Sequence, residues 1–150
     1  MGFGVIAVSE KSRVAVLALT ELARRADDGP VPVVEIAENR EIPPHVLEPI
    51  FGALRRAGIL QSQRGVKGGY SFARPPNEVT LLEVVETVDG RLGPAPPDPD
   101  PPGCLEPWIA ARDTLAAHLA EITIADVQEL DERVQDAPMF HICSRGSTAL

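Results

Sequence analysis

Between Pro43 and Arg74 the hydrophobic period of the chain switches from helical to alternating, and that switch constrains the fold more than any other feature. Leu47, Ile50, Phe51 and Leu54 recur at helical spacing and form one apolar stripe. His45, Glu48, Pro49, Gly52 and Arg56 fall on the opposite face, which carries little bulk, as a helix pressed into a groove requires. After Gly58 the period drops to two. Leu60 to Gln63 reads as a strand, Arg64 to Gly69 as a basic, glycine-rich loop, and Tyr70 to Phe72 as a returning strand. Helix, strand, basic tip, strand is the plan of a winged helix-turn-helix, whose helix reads the major groove while the hairpin grips the DNA backbone or minor groove. The expected fold is mainly α, with a two-stranded wing and a long C-terminal dimerisation helix.

The flanking segments fit that plan. Ser9 is a plausible N-cap for a first helix over Lys11 to about Ala26. Val14 to Leu19 and Leu22 leave this helix almost no polar face, so burial on two sides is expected, by the winged domain and by a partner subunit. A short helix follows from Val33 to about Glu38. Pro49 removes one hydrogen bond inside the reading helix and predicts a bend near its start. Thr80-Leu81-Leu82-Glu83 is a capping box opening a fourth helix, expected to brace the wing and end at Gly90. A proline-rich loop then leads to a fifth helix from Pro107 to Ile122, in which Trp108, Leu115, Leu119 and Ile122 lie near a heptad seam. Thr123 caps a sixth helix with Val127, Leu130 and Val134 on one face. The division is therefore a winged DNA-binding domain over 1–90, a linker or sensor loop over 91–106, dimerisation helices over 107–137 and a tail over 138–150.

Charge is distributed unevenly. The net charge is −8, but residues 1–75 carry ten Lys and Arg against eight Asp and Glu, whereas residues 76–150 carry four against fourteen. The acidic half is thus not expected to face DNA. Two cysteines, Cys104 and Cys143, are too few for a disulfide framework. Gly2 to Val8 lacks the basic leader and cleavage site of a signal peptide, and no apolar run approaches the roughly 20 residues of a membrane span. A cytoplasmic protein with no membrane partner is expected. No paired carboxylates, nucleophile–base set or cofactor loop argues for an enzyme. The order Lys67-Gly68-Gly69-Tyr70 opens a strand, where a nucleotide phosphate loop would open a helix.

The run LEPIFGALRRAGILQSQRGVKGGYSFARP resembles the signature of the Rrf family of winged helix-turn-helix transcriptional regulators, the IscR/NsrR/CymR type. The register is ungapped through the run, and a looser match extends from Ser9 to about Val134. The resemblance implies a homodimeric, sequence-specific DNA-binding regulator, a repressor, acting on double-stranded DNA with a pseudo-palindromic operator. Lys11 and Arg13 match the family's phosphate contacts at the start of the first helix, with Val14 where the family has tyrosine. His45 and Val46 match variable reading positions, able to meet a base edge and a thymine methyl. Glu48 matches a frequent glutamate that can accept from cytosine N4; its bland alternative is an ion pair with Arg55 or Arg56. Arg64 matches the wing arginine, and with Lys67 it flanks glycines that allow close backbone approach. Arg56 shares the groove face.

The family pattern fails at the sensor. Cluster-binding members carry three cysteines before the dimer helix, and thiolates are what hold iron–sulfur clusters. Here Cys104-Leu105-Glu106-Pro107 supplies one, so no cluster and no other cofactor is expected. Cys104 remains a sensor candidate as a thiol or pocket residue, though acidic neighbours raise a thiol pKa and dull it. His118 reads as packing or surface, and His141 with Cys143 is only a pair on a tail. Control by a small-molecule, redox or protein effector would run through the dimer helices or the proline loop. The rival reading, from another class, is a winged-helix protein-interaction module without useful DNA binding, supported by the net acidity, Pro49 and the missing thiols.

Overall fold

The first helix begins where its cap was expected: the Ser9 hydroxyl accepts the Lys11 N–H at 3.2 Å, and α1 runs from Glu10 to Arg24. The computed structural model describes residues 8–92, 103 and 106–136. Cys104, Cys143, most of the proline-rich loop and the tail over 138–150 lie outside them. α2 (Val33–Asn39) enters through Pro32, and α3 (Pro44–Arg56) carries the reading stripe. β1 (Leu60–Gln63) and β2 (Gly69–Phe72) pair antiparallel, Leu60 opposite Phe72 and Gln63 opposite Gly69. α4 (Leu81–Asp89), α5 (Glu106–Glu121) and α6 (Ile124–Asp136) follow.

Two turns explain how α2 and α3 end. After α2, Ile42 donates its N–H to the Ala37 carbonyl at 2.8 Å and Glu41 donates to Glu38 at 3.2 Å, with Glu41 in the left-handed region at φ 54°. After α3, Ile59 donates to Leu54 and Gly58 to Arg55, both at 3.0 Å, with Gly58 at φ 76°. Both are Schellman closures, which satisfy otherwise orphaned carbonyls. Only the second has the glycine that this conformation favours, so the helix-turn-helix corner holds a strained glutamate.

One aliphatic core unites the elements. Leu19, Leu22, Ile36, Leu47, Phe51, Leu54, Ile59, Leu60, Val79, Val84 and Ile124 are at most 2 % exposed. The stripe of α3 is therefore buried as its spacing required. α3 stays helical across Pro49, which sits on the exposed face and breaks no core contact.

α6 of the same chain packs along α1, an enclosure that periodicity did not specify. Leu81 donates its N–H to the Ile122 carbonyl at 2.8 Å and Ile124 donates to Val79 at 2.9 Å, bolting the α5–α6 corner to the entry of α4. Two threonine caps meet there. Thr80 and Glu83 form the expected capping box, and Thr123 and Asp126 form the same reciprocal pair for α6. The Thr123 N–H holds the Asp126 carboxyl below the usual carboxylate range.

α4 packs on α1 and α3, and an ion pair at the foot of β2, Arg74 Nη2 to Glu83 Oε1 at 2.8 Å, ties it to the wing. Burial pushes the Glu83 carboxyl up, but bonds from the Thr80 N–H and Arg74 bring it below its ordinary value. The far end of α4 clasps the start of α1. Asp89 accepts from the Ser9 N–H at 2.8 Å, from the Ser12 hydroxyl at 2.6 Å and from the Ser9 hydroxyl. Burial opposes ionisation of Asp89, yet the Ser12 and Ser9 bonds lower its pKa.

Candidate nucleic-acid interface

Burial sorts the two faces of α3. His45, Glu48, Pro49 and Arg56 are exposed and Gly52 is half-buried, whereas Leu47, Ile50, Phe51 and Leu54 point into the core. Val46, read from sequence as a thymine contact, is half-buried, packing on the core while also lining the groove beside His45. The Arg56 guanidinium folds back over Gly52, with Nη1 3.5 Å from where a Cβ would stand. A groove of about 330 Å³ brings Lys11 of α1 beside His45, Pro49 and Ala53 of α3, with Thr87 of α4 as its far wall. The expected phosphate contact of α1 and the start of the reading helix thus share one concave surface.

Two contacts tie the wing to α3 and a third ties it to the segment before α2. The Tyr70 ring meets Phe51 edge-on, centroids 5.2 Å apart at 76°. Arg55 Nη1 donates to the Ser62 hydroxyl at 3.2 Å. Tyr70 also exchanges backbone hydrogen bonds with Val31, at 2.8 and 2.9 Å, which adds a bridge before α2 to the outer strand.

The glycines of the RG-x-x-GG loop serve this architecture. Gly65 has φ 113°, and its carbonyl accepts the Gly68 N–H at 2.9 Å. A Cβ on Gly68 would stand 2.4 Å from the Gln63 carbonyl oxygen, and one on Gly69 would stand 2.3 Å from the Val31 carbonyl carbon. At these two positions the close approach that glycine allows is to the protein's own backbone. The loop still presents Arg64, Val66 and Lys67 to solvent.

Ion pairing separates the cations into two groups. Arg24, Arg25, Arg40, Arg74, Arg112 and Arg133 each meet a carboxylate. Arg13, an expected phosphate contact, also pairs, with Glu10 at 3.1 Å, but both side chains are exposed and a surface pair of this kind is weakly held. Lys11, Arg55, Arg56, Arg64, Lys67 and Arg91 form no salt bridge among the described residues. Most of these lie at the start of α1, the end of α3 and the wing tip. Glu48 likewise meets no cation, so its bland alternative, pairing with Arg55 or Arg56, is not formed. Arg91 escaped the sequence reading. It is an exposed arginine next to Gly90 in the acidic half, brought towards the start of α1 by the Asp89 clasp.

The dimer seam is divided by the fold. Leu115 and Leu119 pack with Leu82 against Val85, Leu92 and Ala116, and Ile122 is half-buried at the α5–α6 corner. Trp108 is 67 % exposed, and Leu130 and Val134 on α6 are 55 % and 74 % exposed. No group of three or more metal-ligating side chains occurs among the described residues, and no helix there is long and apolar enough to cross a membrane.

This geometry has close counterparts. The family model for Rrf2, described as an iron-dependent transcriptional regulator, matches residues 8–130. The HTH-type transcriptional regulator CymR of Bacillus subtilis (strain 168) is 30 % identical over 136 residues, spanning 90 % of this chain and 99 % of CymR. Among solved structures, T. potens IscR superposes with a TM-score of 0.74 at 29 % identity, over 91 % of this chain and 96 % of that one. CymR (YrzC), the global cysteine regulator of B. subtilis, superposes with a TM-score of 0.73 at 28 % identity, over 84 % and 98 %.

Proposed function

The chain belongs to the Rrf2 family of transcriptional regulators, and from that premise we propose that it is a cytoplasmic, homodimeric repressor that places two copies of α3 in successive major-groove faces of a pseudo-palindromic operator. One observation carries the reading: Lys11, Arg55, Arg56, Arg64 and Lys67, at the start of α1, the end of α3 and the wing tip, form no salt bridge among the described residues, whereas most arginines elsewhere meet a carboxylate. An interaction module with no nucleic-acid partner has no need for that sorting. Grip comes from Lys11, Arg64 and Lys67, and base discrimination from His45 and Glu48.

Selection from random duplexes tests this. The enriched sequences are expected to be inverted repeats with half-sites about one helical turn apart, bound with a steep inverse dependence on salt. Sedimentation is expected to show a dimer at micromolar concentration. Because Leu115 and Leu119 already pack within the chain, the informative substitution is at exposed Trp108: Trp108→Glu weakens both the dimer and the palindrome preference without unfolding the monomer. Absence of duplex binding would return the protein to the interaction-module reading.

The family description invokes iron, and the donor set does not fit a cluster. The whole sequence holds two cysteines, with one, Cys104, shortly before the start of α5 in sequence. Since thiolates hold such clusters, two Cys104 thiols in a dimer fall short of a four-ligand site. We infer regulation by an effector acting without a resident cluster, through the α5–α6 half or the proline-rich loop. Anaerobically purified protein is expected to be colourless, and stoichiometric iron and sulfide would refute this.

A further inference from the structure

Arg40 caps the end of α2 and heads the turn into the recognition helix. Its side chain leaves that turn towards two other helices. Nε stands 3.0 Å from Glu21 Oε2 on α1, and Nη2 stands 2.7 Å from Asp131 Oδ2 on α6. Arg24 joins the same carboxylates, 2.8 Å from Asp131 and 3.5 Å from Glu21. Asn39, also at the end of α2, donates to Glu21 Oε1 at 3.2 Å. The Arg40 and Glu21 side chains are only 13 % and 7 % exposed. Water therefore screens this cluster poorly, and its charge balance matters more than that of a surface pair.

We propose that Asp131 is a positioning residue for DNA reading: by holding Arg40 it fixes the turn from which α3 starts, so that docking of α6 on α1 and presentation of α3 are one event. The inference rests on the DNA-binding reading above. With Asp131 present, two guanidinium groups face two carboxylates. With Asp131 neutral, Arg24 and Arg40 share Glu21 alone and repel each other beside the turn. The turn is ill-suited to absorb that change, because Glu41 already holds a left-handed conformation that costs a non-glycine residue about 1–2 kcal/mol. Asp131 is suited to the role. The hydrogen bond from Arg40, working against partial burial and helped by the charges of Arg40 and Arg24, keeps its carboxyl below the ordinary range and so ionised.

The sign of the effect separates positioning from bulk electrostatics. Removing a negative charge from a DNA-binding protein raises its affinity for every duplex. Loss of positioning lowers affinity for the preferred duplex alone. The test compares wild type, Asp131→Asn and Asp131→Glu on the duplex selected by the wild-type protein and on a random-sequence duplex. Amide exchange of the free proteins and thermal melting accompany it. Asp131→Asn is expected to lose about tenfold on the selected duplex, with the random duplex bound as well or better. The Glu41 and Ile42 amides are expected to exchange about tenfold faster while those of β1 hold. Asp131→Glu restores both. Unchanged exchange at the turn, or a parallel rise in affinity for both duplexes, overturns the proposal. So does loss of cooperative melting in both variants, which would make Asp131 a residue of the fold only. If wild type selects no duplex, the DNA-binding reading fails, while the exchange rates still report whether α6 sets the turn.

Discussion

Gly69→Ala is expected to destabilise the protein by about 3 kcal/mol, the range of a backbone overlap that cannot be relieved by a side-chain rotation. The added methyl would stand 2.3 Å from the Val31 carbonyl carbon, 2.4 Å from its oxygen and 2.7 Å from the Pro32 nitrogen. All three are main-chain atoms, so relief requires β2 to part from the segment before α2. That movement breaks the Tyr70–Val31 hydrogen bonds and withdraws the Tyr70 ring from Phe51. Gly58→Ala is the control. Gly58 also has positive φ, 76°, but a Cβ there meets nothing within 4 Å, so only the conformational cost of about 1 kcal/mol applies. Chemical denaturation of both variants measures the gap. Equal losses would mean that the close approach of Gly69 to Val31 is not a constraint. The large gap expected makes the second glycine of the pair a device for seating the wing, and places any DNA contact in the loop on Arg64 and Lys67.

What the sequence disclosed and what it hid follow from the range of the interactions. The Ser9 cap, the Thr80–Glu83 box, the stripe of α3 and the strand pair are local, set by residues within a few positions of one another. Helical periodicity also showed correctly that α1 is enclosed. It did not reveal by what, because the contacts that seat α6, such as Ile124 in the core and Asp131 meeting Arg24 and Arg40, join residues far apart in the chain and carry no periodic signal. The same holds for Asp89 clasping Ser9 and Ser12, and for Val31 joining Tyr70. Pro49 predicted a bend; α3 nonetheless continues across it, with Pro49 exposed and four buried side chains holding the helix in place. At the interface, residue identity along α3 exposed His45, Glu48 and Arg56, since a face is fixed by spacing. Whether Arg13 or Arg64 is free to meet a phosphate was not legible, because that depends on which carboxylates folding brings near. Glu10 reaches Arg13, and no acidic side chain reaches Arg64 among the described residues.

That difference between free and committed charge sets the remaining expectation, in which grip and reading separate. Arg64 is exposed at a loop tip and meets no carboxylate among the described residues, so Arg64→Ala is expected to weaken all duplexes alike. If each subunit loses one phosphate contact, the dimer's log–log salt dependence becomes shallower by roughly 2 units. Glu48 lies on the exposed face of α3 and forms no ion pair among the described residues, so its carboxylate is available to accept from a base. It also repels phosphate. Glu48→Ala is therefore expected to keep or raise non-specific affinity while discrimination at one base pair per half-site relaxes by about 1–3 kcal/mol. The two variants move the same measurements in opposite directions, which global destabilisation cannot do. Titrating each against the selected duplex and its single-base substitutions over a salt series decides both halves. A base preference that survives Glu48→Ala would assign reading to His45 or to DNA shape. An unchanged salt slope in Arg64→Ala would mean the wing does not touch the backbone, leaving Lys11 and the groove beside His45 to carry the grip.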